Sequence, residues 1–147
     1  YNMRGIPFTF SGTELGVYGY KDPFNQIAYP WYIAEQIVSG NIKNEVFSTT
    51  VNLGRYRAEH KDILATGKEE MESDSDVQKI IRYNENGTIV TFANRTDKVQ
   101  YIGDYYRKAK VIFNSGNCTP TELEPYGFIA LRMWDENLAE YNMLRQI

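Results

Sequence analysis

The sequence predicts an α+β chain in which a helical first part precedes an antiparallel β-rich second part. Apolar residues recur at helical spacing over residues 32–38 and again over residues 50–65. After Gly67 the pattern changes to short apolar runs separated by turn residues, which is typical of antiparallel strands. We therefore expect three segments: a first region over 1–66, an antiparallel β-sandwich over 67–133 and a short C-terminal helix over 134–147.

The first expected element is a short apolar and aromatic run at residues 6–10. Gly5 precedes the run and Gly12 follows it, and glycines in these positions bound a strand sharply. Pro7 cannot donate a hydrogen bond to a neighbouring strand, so it belongs among the first residues of the element. The run predicts a buried strand, followed by a long connection rich in Gly, Pro and Asp over residues 11–32.

Two helices are expected after this connection. The helical pattern over residues 32–38 is broken by Ser39, Gly40 and Asn41. The second helix is expected from about residue 50 to residue 65, with Thr49 or Thr50 as its N-cap. Its expected inward face carries five side chains at helical spacing: Val51, Leu53, Tyr56, His60 and Ile63.

The second half of the chain reads as a series of strands. Residues 77–83 and 88–93 flank the turn Asn84-Glu85-Asn86-Gly87, which predicts a β-hairpin. Further strands are expected at 98–102, 110–113, 122–123 and 126–133, and this spacing is typical of an antiparallel sandwich. The acidic run at 69–76 lacks the spacing of a calcium loop, so we interpret it as a solvated turn.

Composition and charge exclude several classes of function. The formal net charge is −3, with acidic and basic residues mixed along the chain, so we expect no nucleic-acid partner. No apolar run approaches the roughly 20 residues that cross a bilayer, so we expect no membrane partner. His60 is the sole histidine and Cys118 the sole cysteine. A histidine metal cluster, an internal disulfide and a His-dependent nucleophile are therefore excluded.

Several short motifs follow one another along the chain. The first group comprises Gly5-Ile6-Pro7-Phe8, Gly12-Thr13-Glu14, Asp22-Pro23 and Pro30-Trp31. The second group comprises Arg57-Ala58-Glu59-His60, Asn94-Arg95 and Leu123-Glu124-Pro125-Tyr126-Gly127-Phe128. In this order they resemble the eighth-strand motif, the last barrel helix and the C-terminal domain of the α-amylase superfamily, glycoside hydrolase family 13.

The resemblance implies a fold and an activity. Members of that family have a (β/α)8 TIM barrel followed by an antiparallel β-domain, and a complete barrel takes roughly 250 residues. We therefore expect this chain to be the C-terminal portion of a longer enzyme, containing the last β/α unit of the barrel and the β-domain. The intact parent would act on an α-glucan or maltooligosaccharide, by retaining hydrolysis or transglycosylation. The remainder of the barrel would be its other partner.

The catalytic carboxylates that the resemblance implies do not belong to this chain. Retaining glycosidases use two carboxyl groups about 5 Å apart. In the family these groups, with a second stabilising Asp, lie on motifs after barrel strands 4, 5 and 7, before the part that this chain resembles. We therefore name no catalytic residue here and expect the chain alone to be inactive.

Substrate contacts are expected in the long connection instead. Asp22 matches a family Asp that hydrogen-bonds a glucose on the non-reducing side of the cleavage point, and a carboxylate can accept from two neighbouring hydroxyls. Gln26 stands where many members have Arg, which weakens the expected clamp on Asp22. Tyr20 offers a stacking surface. It remains open that Asp22 only starts the turn with Pro23.

A second function class also remains open. Tyr is abundant, with 12 residues, and aromatic faces stack on sugar rings, although Tyr is also a preferred strand residue. The alternative is therefore a non-catalytic carbohydrate-binding or structural β-sandwich domain, with Tyr105 and Tyr106 as candidate sugar contacts. We expect no cofactor and no metal ligands in this chain. The resemblance leaves calcium open for the intact parent, with no calcium site readable here.

Overall fold

The computed structural model describes residues 1–17 and 28–133. They form two compact units. One unit comprises residues 6–55, and the other combines Tyr1–Gly5 with the chain from Tyr56 onward. The boundaries that the sequence suggested at residues 66 and 133 stay a prediction.

The helices lie in the first half of the chain. A short 3-10 helix at Thr13–Leu15 is followed by α1 at Trp31–Val38, α2 at Glu45–Glu59 and α3 at Lys61–Leu64. Helix α1 confirms the predicted helix over residues 32–38. It ends before Gly40, whose φ of 78° and hydrogen bond to the Ile37 carbonyl close the last turn.

Helix α2 begins earlier than the sequence suggested. The Asn44 side chain accepts a hydrogen bond from the backbone N–H of Phe47 at 2.8 Å, so Asn44 is the N-cap. The prediction of Thr49 or Thr50 as the cap was wrong. Both residues lie inside the helix, where the Thr50 hydroxyl donates to the Val46 carbonyl at 2.8 Å.

Residues 6–10 form no strand in this structure, contrary to the prediction. Ile6 is 95% exposed and Phe8 86% exposed. A strand requires a neighbour that pairs with its backbone, and none of the strands in the described part of the chain pairs with this segment. An apolar run without such a neighbour remains irregular.

The second half of the chain is antiparallel, as expected. The strands are β1 at Lys68–Ser73, β2 at Val77–Asn84, β3 at Gly87–Asn94, β4 at Gln100–Tyr101, β5 at Lys110–Ser115, β6 at Glu122–Leu123 and β7 at Phe128–Met133. Five of them form a sheet of order β1-β2-β3-β7-β5, and β4 pairs with β6 separately. The described residues thus form an α+β piece with antiparallel sheets, and they do not confirm a barrel strand followed by a β-sandwich.

The predicted hairpin is confirmed. Asn84 pairs with Gly87 across a two-residue turn, and Gly87 has a φ of 126° that side-chain-bearing residues rarely adopt. The Asn84 side chain accepts a hydrogen bond from the backbone N–H of Asn86 at 2.9 Å, which stabilises the turn.

Strand β1 was missed from sequence. The acidic run interpreted as a solvated turn forms this edge strand, and only residues 74–76 form the turn to β2. Its carboxylates meet partners on β2: Glu72 lies 2.8 Å from the Lys79 ammonium, and Glu70 accepts from the Tyr83 hydroxyl at 2.9 Å. Cross-strand pairs of this kind stabilise a strand that carries few apolar side chains.

The five-stranded sheet is covered on both faces. One face packs Ile81, Val90 and Leu131 against Leu123 of β6 and against Tyr106, which lies in a short 3-10 helix between β4 and β5. Helix α3 lies against β2 and β3, and its Ile63 and Leu64 are fully buried. The centre of the sheet is therefore buried on both sides, which explains the continuous burial along β3.

Candidate functional site

The predicted substrate-binding residues Asp22, Gln26 and Tyr20 lie in the segment 18–27, outside the described residues. The expected C-terminal helix over 134–147 lies outside them as well. The structure does describe the chain on either side of the segment 18–27.

The chain entering the segment is fixed by a tight turn. Gly12 and Gly16, with φ values of 89° and 71°, flank the 3-10 helix at Thr13–Leu15. The carbonyl of the buried Leu15 accepts a hydrogen bond from the Asn44 side chain at 2.9 Å. Because Asn44 also caps α2, the start of that helix holds the chain just before residue 18.

The chain leaving the segment is tied to the same turn. The Tyr29 hydroxyl donates a hydrogen bond to the Glu14 carboxylate, and this bond raises the pKa of Tyr29 above its ordinary value. The rings of Tyr29 and Trp31 lie with their centroids 4.6 Å apart. Glu14 therefore has a structural contact that joins the two ends of the segment carrying Asp22.

The helical motif residues also make structural contacts. Arg57 donates to the carbonyls of Tyr1 and Gly5 at 2.5 and 2.6 Å, and it thereby holds the chain that precedes residues 6–10. The His60 ring packs against Tyr56, with centroids 5.5 Å apart. Burial lowers the pKa of His60, so the neutral imidazole is favoured.

Asn94 is a hydrogen-bonding centre in the β-rich unit. Its amide nitrogen donates to the carbonyls of Lys98 and Glu124 at 2.7 and 2.9 Å. Its oxygen accepts from the backbone N–H and the hydroxyl of Thr96 at 2.9 and 2.8 Å. Asn94 thus joins the turn after β3 to the segment before β7.

Gly127 and Cys118 meet in a close contact nearby. A Cβ at Gly127 would lie 2.3 Å from the Cys118 sulfur, so no larger residue fits there. Burial raises the pKa of the Cys118 thiol, and the thiol donates to the Ser115 carbonyl at 3.2 Å. A buried thiol with a raised pKa is a poor nucleophile, and this cysteine is structural.

The β-rich unit contains a cavity of about 430 Å³ that the sequence did not indicate. It lies between the β1–β2 edge of the large sheet and the β4 segment. Its walls include Glu72, Asp74, Lys79, Phe92, Tyr101 and Tyr106. Of this set the sequence indicated only Tyr106 as a candidate sugar contact, while Glu72 and Asp74 were assigned to the acidic run interpreted as a turn. The remaining wall residues come from separate strands and from the β4 region.

Two further findings concern metals and membranes. Residues 1–17 and 28–133 contain no group of three or more His, Cys, Asp and Glu side chains arranged to hold a metal ion. In the same residues, no helix combines the length and the hydropathy that a membrane crossing requires.

Comparison with solved structures gives the class of fold. The described chain resembles maltogenic amylase from S. marinus with a TM-score of 0.64 and 22% sequence identity, over 84% of this chain and 16% of that one. It also resembles trehalulose synthase MutB from crystals soaked with trehalulose, with a TM-score of 0.55 and 22% identity, over 68% of this chain and 19% of that one. A MutB variant in complex with sucrose gives a TM-score of 0.54 and 23% identity, over 67% and 19% of the two chains.

These enzymes belong to the α-amylase family, glycoside hydrolase family 13. The described chain shares the fold of a part of each enzyme, which confirms the resemblance that the sequence motifs indicated. It spans 16 to 19% of the length of these three enzymes. Comparison with protein-family models finds no match, and comparison with curated proteins finds none.

Proposed function

We propose that the chain is the C-terminal portion of an α-amylase-type enzyme that acts on α-linked glucans by hydrolysis or transglycosylation. In this proposal residues 1–66 supply the last β/α unit of the catalytic barrel, and residues 67–133 supply a stabilising β-domain. The fold shared with the S. marinus amylase over 84% of the chain is the observation that carries the proposal.

The motif residues support the proposal independently of the overall fold. Arg57, Asn94 and Gly127 were singled out from sequence because they match family positions. Arg57 donates to two backbone carbonyls, and Asn94 donates to the carbonyls of two loop residues. At Gly127 an added Cβ would collide with the Cys118 sulfur. Such restrictions are expected at positions that the fold constrains.

The proposed substrate contacts lie in the segment 18–27. Asp22 accepts hydrogen bonds from a glucose on the non-reducing side, Gln26 supports Asp22 without a cationic clamp, and Tyr20 stacks on the sugar. The interacting residues Glu14 and Tyr29 lie on either side of this segment in the sequence.

Kinetics of the intact parent enzyme test the Asp22 assignment. Asp22→Ala should lower kcat/KM for long oligosaccharides by on the order of tenfold or more, because hydrogen bonds to a charged group contribute roughly 1.5 to 3 kcal/mol each. Asp22→Asn is the matched control for shape, since Asn also starts a turn before Pro23 but has no negative charge. Asp22→Asn should lose most of the kcat/KM that Asp22→Ala loses on long oligosaccharides.

Chain length of the substrate separates the two interpretations of Asp22. A substrate too short to reach the subsite should be cleaved at nearly the parental rate by both variants. If Asp22→Ala loses equally on short and long substrates and Asp22→Asn behaves like the unmodified enzyme, Asp22 only shapes the turn. Replacement of Gln26 by Arg should raise kcat/KM for long substrates if a cation helps to orient Asp22.

We also expect the chain alone to have no glycosidase activity, because the expected catalytic carboxylates lie on other barrel strands. The measurement is hydrolysis of a nitrophenyl maltoside by the purified chain of 147 residues. Turnover above the background of a mock purification would contradict this part of the proposal.

A further inference from the structure

We propose that the cavity between the β1–β2 edge and β4 is a second saccharide-binding site, which takes a short neutral oligosaccharide. The site is independent of the segment 18–27, because all of its walls come from the β-rich unit. Its volume of about 430 Å³ lies within the roughly 300–1,000 Å³ range of small-molecule sites.

The walls combine aromatic rings with hydrogen-bonding groups. Phe92 and Tyr106 pack edge to face, with centroids 4.9 Å apart, and form the buried side of the cavity. Tyr101 is 62% exposed and stands at the open side. Carboxylate and amide groups complete the lining. A sugar ring has apolar C–H faces and a rim of hydroxyls, so it can use both kinds of surface at once.

The charges in the cavity favour a neutral ligand. The Glu72 carboxylate is paired with the Lys79 ammonium at 2.8 Å. The Asp74 carboxylate accepts from the backbone N–H groups of Asp76 and Val77 at 2.7 and 2.6 Å. A phosphate would face two carboxylates, and an ammonium ligand would find both carboxylates already compensated. A polyhydroxylated neutral ligand can share these groups without displacing either partner.

Tyr106 brings a hydroxyl to the wall of the cavity. The residue as a whole is 6% exposed. Burial and the nearby Glu72 carboxylate raise the pKa of Tyr106 to about 12, so the group stays protonated and can donate to a sugar hydroxyl.

Tyr101 lies beside the Asp104 carboxylate, which is itself paired with Arg107. Its exposed ring offers an aromatic face at the open side of the cavity.

The experiment is an NMR titration of the full chain with maltotriose and, separately, with cellotriose, followed through backbone amide shifts. We expect saturable shifts at Glu72, Lys79, Tyr101 and Ile102 with maltotriose. The choice of an α-linked glucose probe rests on the proposed function, whereas the site itself does not. Equal binding of cellotriose at the same amides would support the saccharide site and count against its restriction to α-glucans.

Three variants distinguish the cavity from surface binding. Tyr101→Ala should weaken binding by on the order of tenfold. Tyr126→Ala is its matched control, because Tyr126 is 71% exposed in the same unit and does not line the cavity. The Kd of Tyr126→Ala should equal that of the unmodified chain. Tyr106→Phe keeps the buried ring and removes only the hydroxyl, so binding should weaken roughly twofold to tenfold.

Two results would overturn the proposal: no saturable shift with either trisaccharide, or equal Kd values for Tyr101→Ala, Tyr106→Phe and the parent. Thermal unfolding of each variant verifies that the fold is intact, and Tyr106→Phe serves as the test if Tyr101→Ala unfolds. Failure here leaves the proposed function to its own test, the kinetics of Asp22 variants in the intact enzyme.

Discussion

Two apolar runs of this chain have similar composition and opposite structures. Residues 6–10 and strand β3 at Gly87–Asn94 both contain aliphatic and phenylalanine side chains at high density. Ile89 and Val90 are fully buried, whereas Ile6 is 95% exposed. Strand β3 has β2 and β7 as neighbours. The difference shows that a neighbouring backbone, more than the apolar run itself, makes the strand.

The proposed function gives this difference a simple cause. In a (β/α)8 barrel, each strand pairs on both sides with other barrel strands and is buried on both faces. The segment 6–10 would find its neighbours in the remainder of the barrel. Strand β3 finds all of its neighbours within the β-rich unit, where helix α3 and the strand connections cover both faces of the sheet.

The largest effect is expected from truncating the same residue type in both runs. Ile89→Ala removes a side chain with no exposed surface and should lower the free energy of unfolding by about 2–5 kcal/mol. Ile6→Ala should change it by no more than about 0.5 kcal/mol, because that side chain is already in water. Urea-induced unfolding followed by circular dichroism measures both values.

Similar losses for the two isoleucine variants would contradict this explanation, since Ile6 would then contribute to a packed core. If the proposed function is correct, Ile6→Ala should become costly in the longer enzyme, where only the neighbours of the segment differ.

A smaller effect is expected from two ion pairs between β1 and β2. Arg82 has no exposed side-chain surface and donates to Glu69 at 3.1 Å and to the Leu64 carbonyl at 2.9 Å. Arg82→Ala leaves both acceptors without this donor and should cost about 2–4 kcal/mol. Lys79→Ala removes the more exposed pair with Glu72 and should cost about 1 kcal/mol or less.

The same unfolding measurement ranks the two pairs. A larger loss for Lys79→Ala than for Arg82→Ala would contradict the view that β1 is held mainly through the buried arginine and helix α3. Arg82→Lys is a useful third variant. It keeps the charge but lacks the planar guanidinium that reaches Glu69 and Leu64 together, so it should recover only part of the loss.

The smallest effect concerns pH. Burial lowers the pKa of His60, and the nearby Arg132 and Lys110 act in the same direction, while Glu59 and Asp62 oppose them. The unfolded chain therefore takes up the proton first, near its ordinary pKa of about 6.5. Stability should fall slightly as the pH drops below that value, and this loss should end below the pKa of the folded state.

His60→Gln should remove this contribution. The difference in unfolding free energy between the unmodified chain and the variant should therefore depend on pH only below about 6.5. The measurement is the urea midpoint of both proteins at several pH values between about 5 and 8. If the unmodified chain gains stability relative to His60→Gln as the pH falls, the direction of the pKa shift is wrong.

Local sequence patterns were sufficient for several elements. Helix α1 and the hairpin between β2 and β3 were predicted close to their observed limits. Each is specified by neighbouring residues: the break after Val38, and the turn chemistry of Asn84 to Gly87. The start of α2 was misplaced because two threonines resemble caps, whereas Asn44 makes the actual contact.

The cavity illustrates what local patterns omit. Its walls are brought together from residues 72–106, and Glu72 and Asp74 became wall residues only because the acidic run pairs with β2 as an edge strand. The run contains few apolar residues, so no periodicity marks it as a strand. Its partners are basic and tyrosine side chains on another strand, which become neighbours only after the sheet has formed.

The hairpin turn between β2 and β3 and the end of α1 near Gly40 can be read from the sequence, because they depend on residues close together in the chain, whose backbone preferences act locally. The order of the motifs along the chain indicates an α-amylase-type fold. The folded structure is needed to show that the acidic run is a strand, that residues 6–10 are not, and that a cavity opens beside β4. These outcomes depend on which backbones and side chains meet across the fold, because hydrogen-bond ladders and burial require partners that one segment cannot supply.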